Sequence, residues 1–506
     1  MHSEDFGKDK LEFSKEVERI LRDAGNEMAD FTGFVFPSVQ FAQKELIAKC
    51  VFFQARFIGK ANFRGATFSQ GAHFAMSYFE DDADFNEVNF NQAADFTCAW
   101  FKKCADFANS NFGHSAIFDG AVLGNASFSG VTFAEGGDFL NAHFDHSAYF
   151  LRALFLKEAN FAGARFNEKA VFVNGSFHGN TQFRNAIFGQ TASFDEAKFD
   201  ALLDFTYARF TGQADFRETR FRRDEKALPG PVFSLSEFCL PEEVVFYKTY
   251  LGQAVFHNRD VSRVTFSSVE WRERKGNRKW MVFEEEIDLS DNAARALKPS
   301  PDNPNDRDYG LIAELYQQLK KNFDERRDYW TAGDFHYGEM EMKRLSTRSR
   351  WRINRWLHRN LGLAAFYKHG SEYGESYLRP AKLLIGVLLM FGLLYPLTGL
   401  YQDRTRDTRV TGRAILGRAV SPQTAERFIL TYWQPFVEQD DEAKWRARNR
   451  LVWNSMLTSV FTALFQRDLI YDPAYPGGRI LAVLEQALTS TLFAIFLLAI
   501  RRQFRR

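Results

Sequence analysis

The sequence predicts a β-solenoid followed by an α-helical adaptor and an α-helical transmembrane domain. Three observations predict it: a phenylalanine every five or six residues from residue 57 to 221, a Pro-rich composition shift near residue 300, and two long uncharged apolar stretches after residue 380. The chain has 506 residues, too many for one compact core. Lys+Arg 65 against Asp+Glu 64 leaves a formal charge of +1, so net charge names no polyanionic partner. The 55 phenylalanines point instead to one structural slot used repeatedly.

From Phe57 to Phe221 there are 31 slots, of which 30 are Phe and one is Leu123. Steps of five and six alternate, slipping to consecutive fives between Phe118 and Phe133. Two residues before the slot the side chain is Ala in 22 of the 31 cases, with a residue between that is usually polar, as in Ala83-Asp84-Phe85 and Ala105-Asp106-Phe107. Within a triplet the outer residues share one face and the middle one takes the other, as in a strand. A straight strand would put successive phenylalanines on opposite faces, so the chain must turn once per step. Four such faces close a coil of 20 to 22 residues, stacked at about 4.8 Å per layer. A long helix is the rival, since an 11-residue period is about 3.67 residues per turn. The 14 glycines of residues 57–221, each costing roughly 1 kcal/mol in a helix interior, argue against it.

The stretch resembles the pentapeptide-repeat family in its Phe-centred form, A(D/N)FxxAxF. The resemblance implies a right-handed quadrilateral β-helix. Weaker coils at Phe31, Phe36, Phe41, Leu46 and Phe52, and a five-residue step resumed from Phe246 to Trp271, extend the solenoid to residues 31–275, with a break at 222–245 that carries Pro229-Gly230-Pro231 and Pro241. Residues 57–221 alone make about seven and a half coils, a rod about 36 Å long. Residues 1–30, with Leu11, Val17, Ile20 and Leu21 at helical spacing, read as the capping helix that a solenoid end needs. Some members of that family imitate DNA, but residues 57–221 hold 19 acidic and 13 basic side chains, a mild net −6. The polar positions read as solvated surface.

Nothing reads as an enzyme or implies a cofactor. Cys50, Cys98, Cys104 and Cys239 lack metal-ligand spacing and are too few for a disulfide scaffold, and the ten histidines include no HExxH. Residues 276–305 read as a linker. Residues 306–347 read as a helical hairpin, with Tyr309, Ile312, Leu315, Leu319 and Phe323 at helical spacing and Asp306 or Asp308 placed to cap; residues 316–344 are similar to a hairpin of the tetratricopeptide kind. Asp334, His336 and Glu339 read there as solvated or bridging groups.

Residues 348–378 read as a basic amphipathic region. Trp351, Ile353, Trp356 and Leu357 interleave with Arg348, Arg350, Arg352, Arg355 and Arg359, so Trp351, Arg352, Arg355 and Trp356 are expected at the anionic inner leaflet. Nucleic acid is the weaker reading, because the patch adjoins a span. Residues 379–506 read as a membrane domain. Leu383–Gln402 is 20 uncharged residues and Ile480–Ile500 is 21 interrupted only by Glu485, each about 30 Å of helix and long enough to span. Residues 343–382 carry ten Lys/Arg against two acids, and the chain ends Arg501-Arg502-Gln503-Phe504-Arg505-Arg506. Both flanks are therefore expected in the cytoplasm, together with the solenoid, on a multi-pass protein of a bacterial-type inner membrane.

Between the spans, residues 451–466 are 16 uncharged residues, short for a span and suited to a re-entrant helix. Span, re-entrant helix and span resemble the pore of two-helix potassium channels, with Ser455–Leu464 where a pore helix belongs. The glycines of a filter are missing: Phe465-Gln466-Arg467-Asp468 stands there instead. Thr462, Phe465, Arg467, Asp468 and Glu485 are the pore-like or intramembrane candidates. The resemblance implies an oligomer, because two helices cannot line a pore. The function expected is thus a membrane-anchored solenoid that binds a protein partner and either conducts ions without potassium selectivity or only anchors, a topoisomerase-binding DNA mimic being the third reading.

Overall fold

A computed structural model describes residues 10–223, 230–287, 307–346, 352–398, 400–403, 427–430, 441–465, 472–473 and 476–504. The chain divides into two compact units, residues 1–346 and 347–506.

The first unit is a β-solenoid of about 11 turns with helices at its ends. Each coil contributes short strands to four faces, and each strand pairs in parallel with the strand one coil on. The register is the one the repeat demands: Phe79 pairs with Phe57 on one side and Phe101 on the other, and Ala83 likewise with Ala61 and Ala105. Every slot residue from Phe57 to Phe221 is buried. Rings one coil apart stack, with centroids 4.4 Å apart for both Phe57–Phe79 and Phe79–Phe101, while rings two slots apart meet edge to face across the core, as Phe74–Phe85 does at 5.5 Å. Offset stacking and edge-to-face contact are the two favoured aromatic geometries. Phenylalanine fills the slot because one flat side chain serves both directions.

The corners explain the rest of the pattern. In the five-residue step Phe63–Phe68, the Ala66 amide donates to the Phe63 carbonyl at 2.9 Å and Gly65 has φ 66°, a type II turn. Gln54, Met76, Glu87, Cys98 and Asn109 hold the same left-handed position with φ between 53° and 61°. The Asp or Asn before each Phe is more than solvated surface. Asp84 Oδ1 accepts from the Asn86 amide at 3.0 Å, Asp95 Oδ1 from Thr97 at 2.9 Å and Asn160 Oδ1 from Ala162 at 3.1 Å. These side chains satisfy an amide at the corner, which selects Asp and Asn there. The run of consecutive fives is absorbed where strands 100–106 and 122–127 continue round a corner, with a register shift between Phe101 and Cys104.

The break expected at 222–245 is shorter. Pro231–Val232, Glu237–Phe238 and Val244–Tyr247 pair with the preceding coil, and Phe233 stacks between Phe205 at 5.1 Å and Phe256 at 5.3 Å. At the first end, α1 (Lys10–Ala24) sets Phe13 edge-on to Phe36 at 5.4 Å and buries Val17. At the other end, strands 272–273 and 280–281 pair antiparallel, and Met281, Val282, Phe283 and Ile287 are buried, so residues 276–287 belong to the packed unit and not to a linker.

α2 (Tyr309–Glu325) and α3 (Tyr329–Leu345) form the expected hairpin, started by Asp308, which accepts from the Gly310 and Leu311 amides, and by Asp328, which accepts from Thr331. The hairpin caps the rod. Phe323 stacks on Phe266 at 6.1 Å, Phe335 meets Trp271 edge-on at 5.2 Å, and Asn322 Nδ2 donates to the carbonyls of Val261 and Val264 at 2.9 and 2.7 Å. Those carbonyls face the end of the stack, where no further coil could satisfy them.

The second unit holds α4 (Arg352–Leu361), α5 (Leu363–Ser371), α6 (Leu378–Thr398), α7 (Asp441–Ala463) and α8 (Pro476–Phe504). Strand 400–403 pairs antiparallel with 427–430 and with 472–473. The first apolar helix therefore stops at Thr398, short of the Gln402 expected, and α7 starts ten residues before Leu451.

Candidate functional site

The second unit turns the usual distribution of polarity outward. α6 and α8 each contain a window of mean hydropathy 1.9, and only 22% of each window is buried within the chain. A core helix of a water-soluble domain would be mostly covered. Here Ile385, Leu389, Leu393 and Leu397 of α6 and Ile480, Val483, Leu484 and Leu498 of α8 are exposed. The buried positions include Ser455, Thr458, Ser459 and Thr462 of α7 and Glu485 and Thr489 of α8.

Contacts fix the helix directions. Leu451 packs against Phe391 and Tyr395, and Ser459 Oγ lies 2.9 Å from the Leu388 carbonyl, so α7 runs antiparallel to α6. Glu485 meets Tyr395, and Arg502 Nη1 donates to the Tyr373 carbonyl at 3.2 Å, so α8 also runs antiparallel to α6. α7 and α8 are thus parallel, and the chain must double back between them. The α6–α7 approach is close because Gly392 has no side chain; a Cβ there would lie 3.0 Å from Met456 Cα.

Glu485 sits where the three helices meet, 0% exposed. Tyr395 Oη donates to its Oε2 at 2.6 Å and the Ser459 hydroxyl donates to its Oε1. Gln486 Nε2 donates to the Thr462 carbonyl at 3.3 Å, adding a second α7–α8 tie. The hydroxyls of Ser455, Thr458 and Thr489 bond back to carbonyls four residues earlier in their own helices. The arrangement is a clasp: one carboxyl group held by one hydroxyl from each of the other two helices.

The residues singled out from sequence separate accordingly. Thr462 and Glu485 come together at the clasp, whereas Phe465, with φ 56°, lies in the turn after α7 and is exposed. Arg467, Asp468 and Trp351 lie outside the described residues. Arg352 opens α4, Arg355 is half-buried and Trp356 is exposed. Sequence reading missed Tyr395, Ser459 and Gly392. The signal for Ser459 was present, since Ser455, Ser459 and Thr462 recur at helical spacing in an otherwise apolar stretch.

Two charged clusters of the first unit serve its cap. Asp334 accepts from the Trp280 amide at 3.3 Å and from Lys279 Nζ at 3.4 Å. Burial alone would raise the Glu339 carboxyl, yet hydrogen bonds from His336 and Lys343 and the charges of Lys320 and Lys343 hold it well below the carboxylate range. Glu285 accepts from Arg274 Nη1 at 2.6 Å and from the buried Tyr316 hydroxyl. On the rod, acidic groups are paired across coils: Arg56–Glu80 at 2.5 Å, Lys103–Asp81 at 2.8 Å, His73–Asp95 at 2.9 Å and Arg64–Glu87 at 3.1 Å. Arg56, Tyr78 and Trp100 occupy equivalent positions in successive coils; Trp100 is exposed and meets Tyr78 edge-on at 5.3 Å. Burial pushes the Cys50 thiol up to about 12, and no group of three or more metal-binding side chains occurs among the described residues.

A family model for pentapeptide repeats, in nine copies, matches residues 52–99, 150–198 and 183–224. No curated protein and no solved structure matches the chain. The matched segments all lie on the stacked coils of the first unit, so the rod is a solenoid of pentapeptide repeats joined to a unit with two candidate membrane-spanning helices.

Proposed function

We propose that the chain is a membrane-anchored scaffold whose helical unit holds the solenoid on the cytoplasmic side of a membrane, where the rod binds a protein partner. The enclosed clasp carries the choice of anchor over pore. A carboxylate lining an ion path must meet water, whereas both oxygens of Glu485 are taken by hydroxyls of its own chain. The flanking charge of residues 343–382 supports the cytoplasmic side, and the exposed Trp100 beside Tyr78 offers the partner an aromatic anchor. Pairing of acids with bases along the rod speaks against a DNA mimic, which needs unpaired acidic rows. The test is reconstitution of the full chain: carbonate-resistant association with vesicles and ion flux equal to protein-free vesicles are expected. Flux that changes on Glu485→Gln would overturn it.

One observation favours a second reading, conduction by a homo-oligomer. α7 is parallel to α8 and antiparallel to α6, which is the plan of a pore helix returning between two spans. The same flux measurement, with the subunit number in detergent, separates the two readings.

A further inference from the structure

We propose that α4 and α5 form a float that lies on an anionic lipid surface with its apolar edge in the bilayer interface; this rests on the anchoring reading above. On α4, Ile353, Trp356, Leu357 and Leu361 recur three and four residues apart and so share a face. That face points away from the protein: Ile353 is 73% exposed and Trp356 59%. Leu363, at 90%, and Phe366 continue the exposed apolar surface onto α5. Arg355 and Arg359 fall on the other side of α4 and are half-buried. A helix against water would be turned the other way round.

Its position fits an interface. Gly370 of α5 meets Ile495 of α8, and Arg502 near the end of α8 pairs with Glu375 at 3.0 Å. Arg379 at the start of α6 pairs with Glu372 at 2.5 Å. The float therefore sits where α6 begins and α8 ends, the level at which a span meets headgroups. Charge selects the lipid. With Arg379 and Arg502 paired to Glu372 and Glu375, Arg355, Arg359 and Lys368 on the float and Lys382 and Arg501 at the adjoining helix ends keep the belt around the apolar edge net basic. Duplex nucleic acid could use the belt, but it has no hydrocarbon with which to cover Ile353, Leu361 and Leu363.

The test uses the full chain with Cys98, Cys104 and Cys239 changed to serine, the buried Cys50 left in place, and Trp356→Cys carrying an environment-sensitive nitrobenzoxadiazole dye. It is reconstituted into vesicles of phosphatidylcholine alone or mixed with phosphatidylglycerol. The expected result is dye emission about threefold brighter with phosphatidylglycerol, quenched by lipids brominated near the headgroup and reduced by added salt. The same dye at Trp330→Cys in α3 should not respond. Emission as in water on both vesicles, equal brightening on both, or brightening only with duplex DNA would each overturn the inference. Flotation with the vesicles separates the two claims. A chain that floats with a water-like dye loses only the float; a chain that does not float loses the anchoring reading, and the float with it.

Discussion

The two units are built on opposite rules. The rod hides aromatic rings and shows Asp, Asn, Lys and Arg; the helical unit hides hydroxyls and a carboxyl group and shows Leu, Ile and Val. Backbone satisfaction differs in the same way. In the rod, amides and carbonyls bond to the next coil, so the stack needs lids, supplied by α1 and by the α2–α3 hairpin. In the helical unit each helix satisfies its own backbone, and polar side chains hold the helices together. The proposed anchoring accounts for the contrast through the solvent of each unit. In water, sequestering hydrocarbon drives packing. In lipid that drive vanishes between helices, and small residues with interhelical hydrogen bonds replace it.

Substitutions can break this contrast. The largest effect is expected from Phe85→Ala, which leaves a hole between Phe63 at 4.7 Å and Phe107 at 4.8 Å. About 3–5 kcal/mol should be lost from the rod, read by denaturant melting of its β signal. Leu389→Ala on the exposed side of α6 should change the stability of the helical unit little, which sharpens the comparison. Glu485→Leu keeps a similar volume but strands the Tyr395 hydroxyl, while the Ser459 hydroxyl can turn to the Leu388 carbonyl 2.9 Å away. A loss of about 1–3 kcal/mol is expected in detergent melts, with most of it restored by Glu485→Gln.

A pH effect is expected in the cap of the rod. Burial pushes the Glu284 carboxyl up to about 7 from its ordinary 4.5, against the hydrogen bonds it accepts from its own amide and that of Phe256. Between those values the folded cap holds a proton that the unfolded chain has released, so the cap weakens as pH rises from 4.5 to about 7 and then levels off. The span should be up to about 3 kcal/mol. Hydrogen exchange of residues 256–287, corrected for intrinsic rate, should show it in the wild type and not in Glu284→Gln. A small effect of opposite sign is expected from Tyr207→Gly. Tyr207 is exposed and holds φ 60° in a corner, where glycine relieves about 1 kcal/mol of backbone strain; the melt should move up slightly.

Much of the rod was legible because its constraint is periodic. A slot every five or six residues in chain order declares both the turn and the stacking partner, 22 residues on for Phe57 and Phe79. The linker assignment failed at residues 276–287 because Arg272–Lys279 is charged, yet Arg272 pairs with Glu286 at 2.7 Å and Arg274 Nη1 bonds to Glu285 at 2.6 Å, which lets the hairpin fold back on the stack. The capping role of α2 and α3 was not legible either. Their apolar stripe shows that something is covered, not that it is the open end of a solenoid. In the helical unit, Glu485 could be singled out because charge is rare in such a stretch. Its partners could not, since Tyr395 lies 90 residues away and the pairing depends on how three helices cross.

The central claim is that the exposed apolar faces of α6 and α8 contact lipid. Its most direct measurement is nitroxide accessibility in the full chain, reconstituted into vesicles, at Leu389→Cys and Val483→Cys and, on the rod, at Trp100→Cys. The account predicts probes at 389 and 483 that relax with dissolved oxygen but not with a water-soluble nickel chelate, and the reverse at 100. Nickel access at 389 and 483 equal to that at 100 would contradict it.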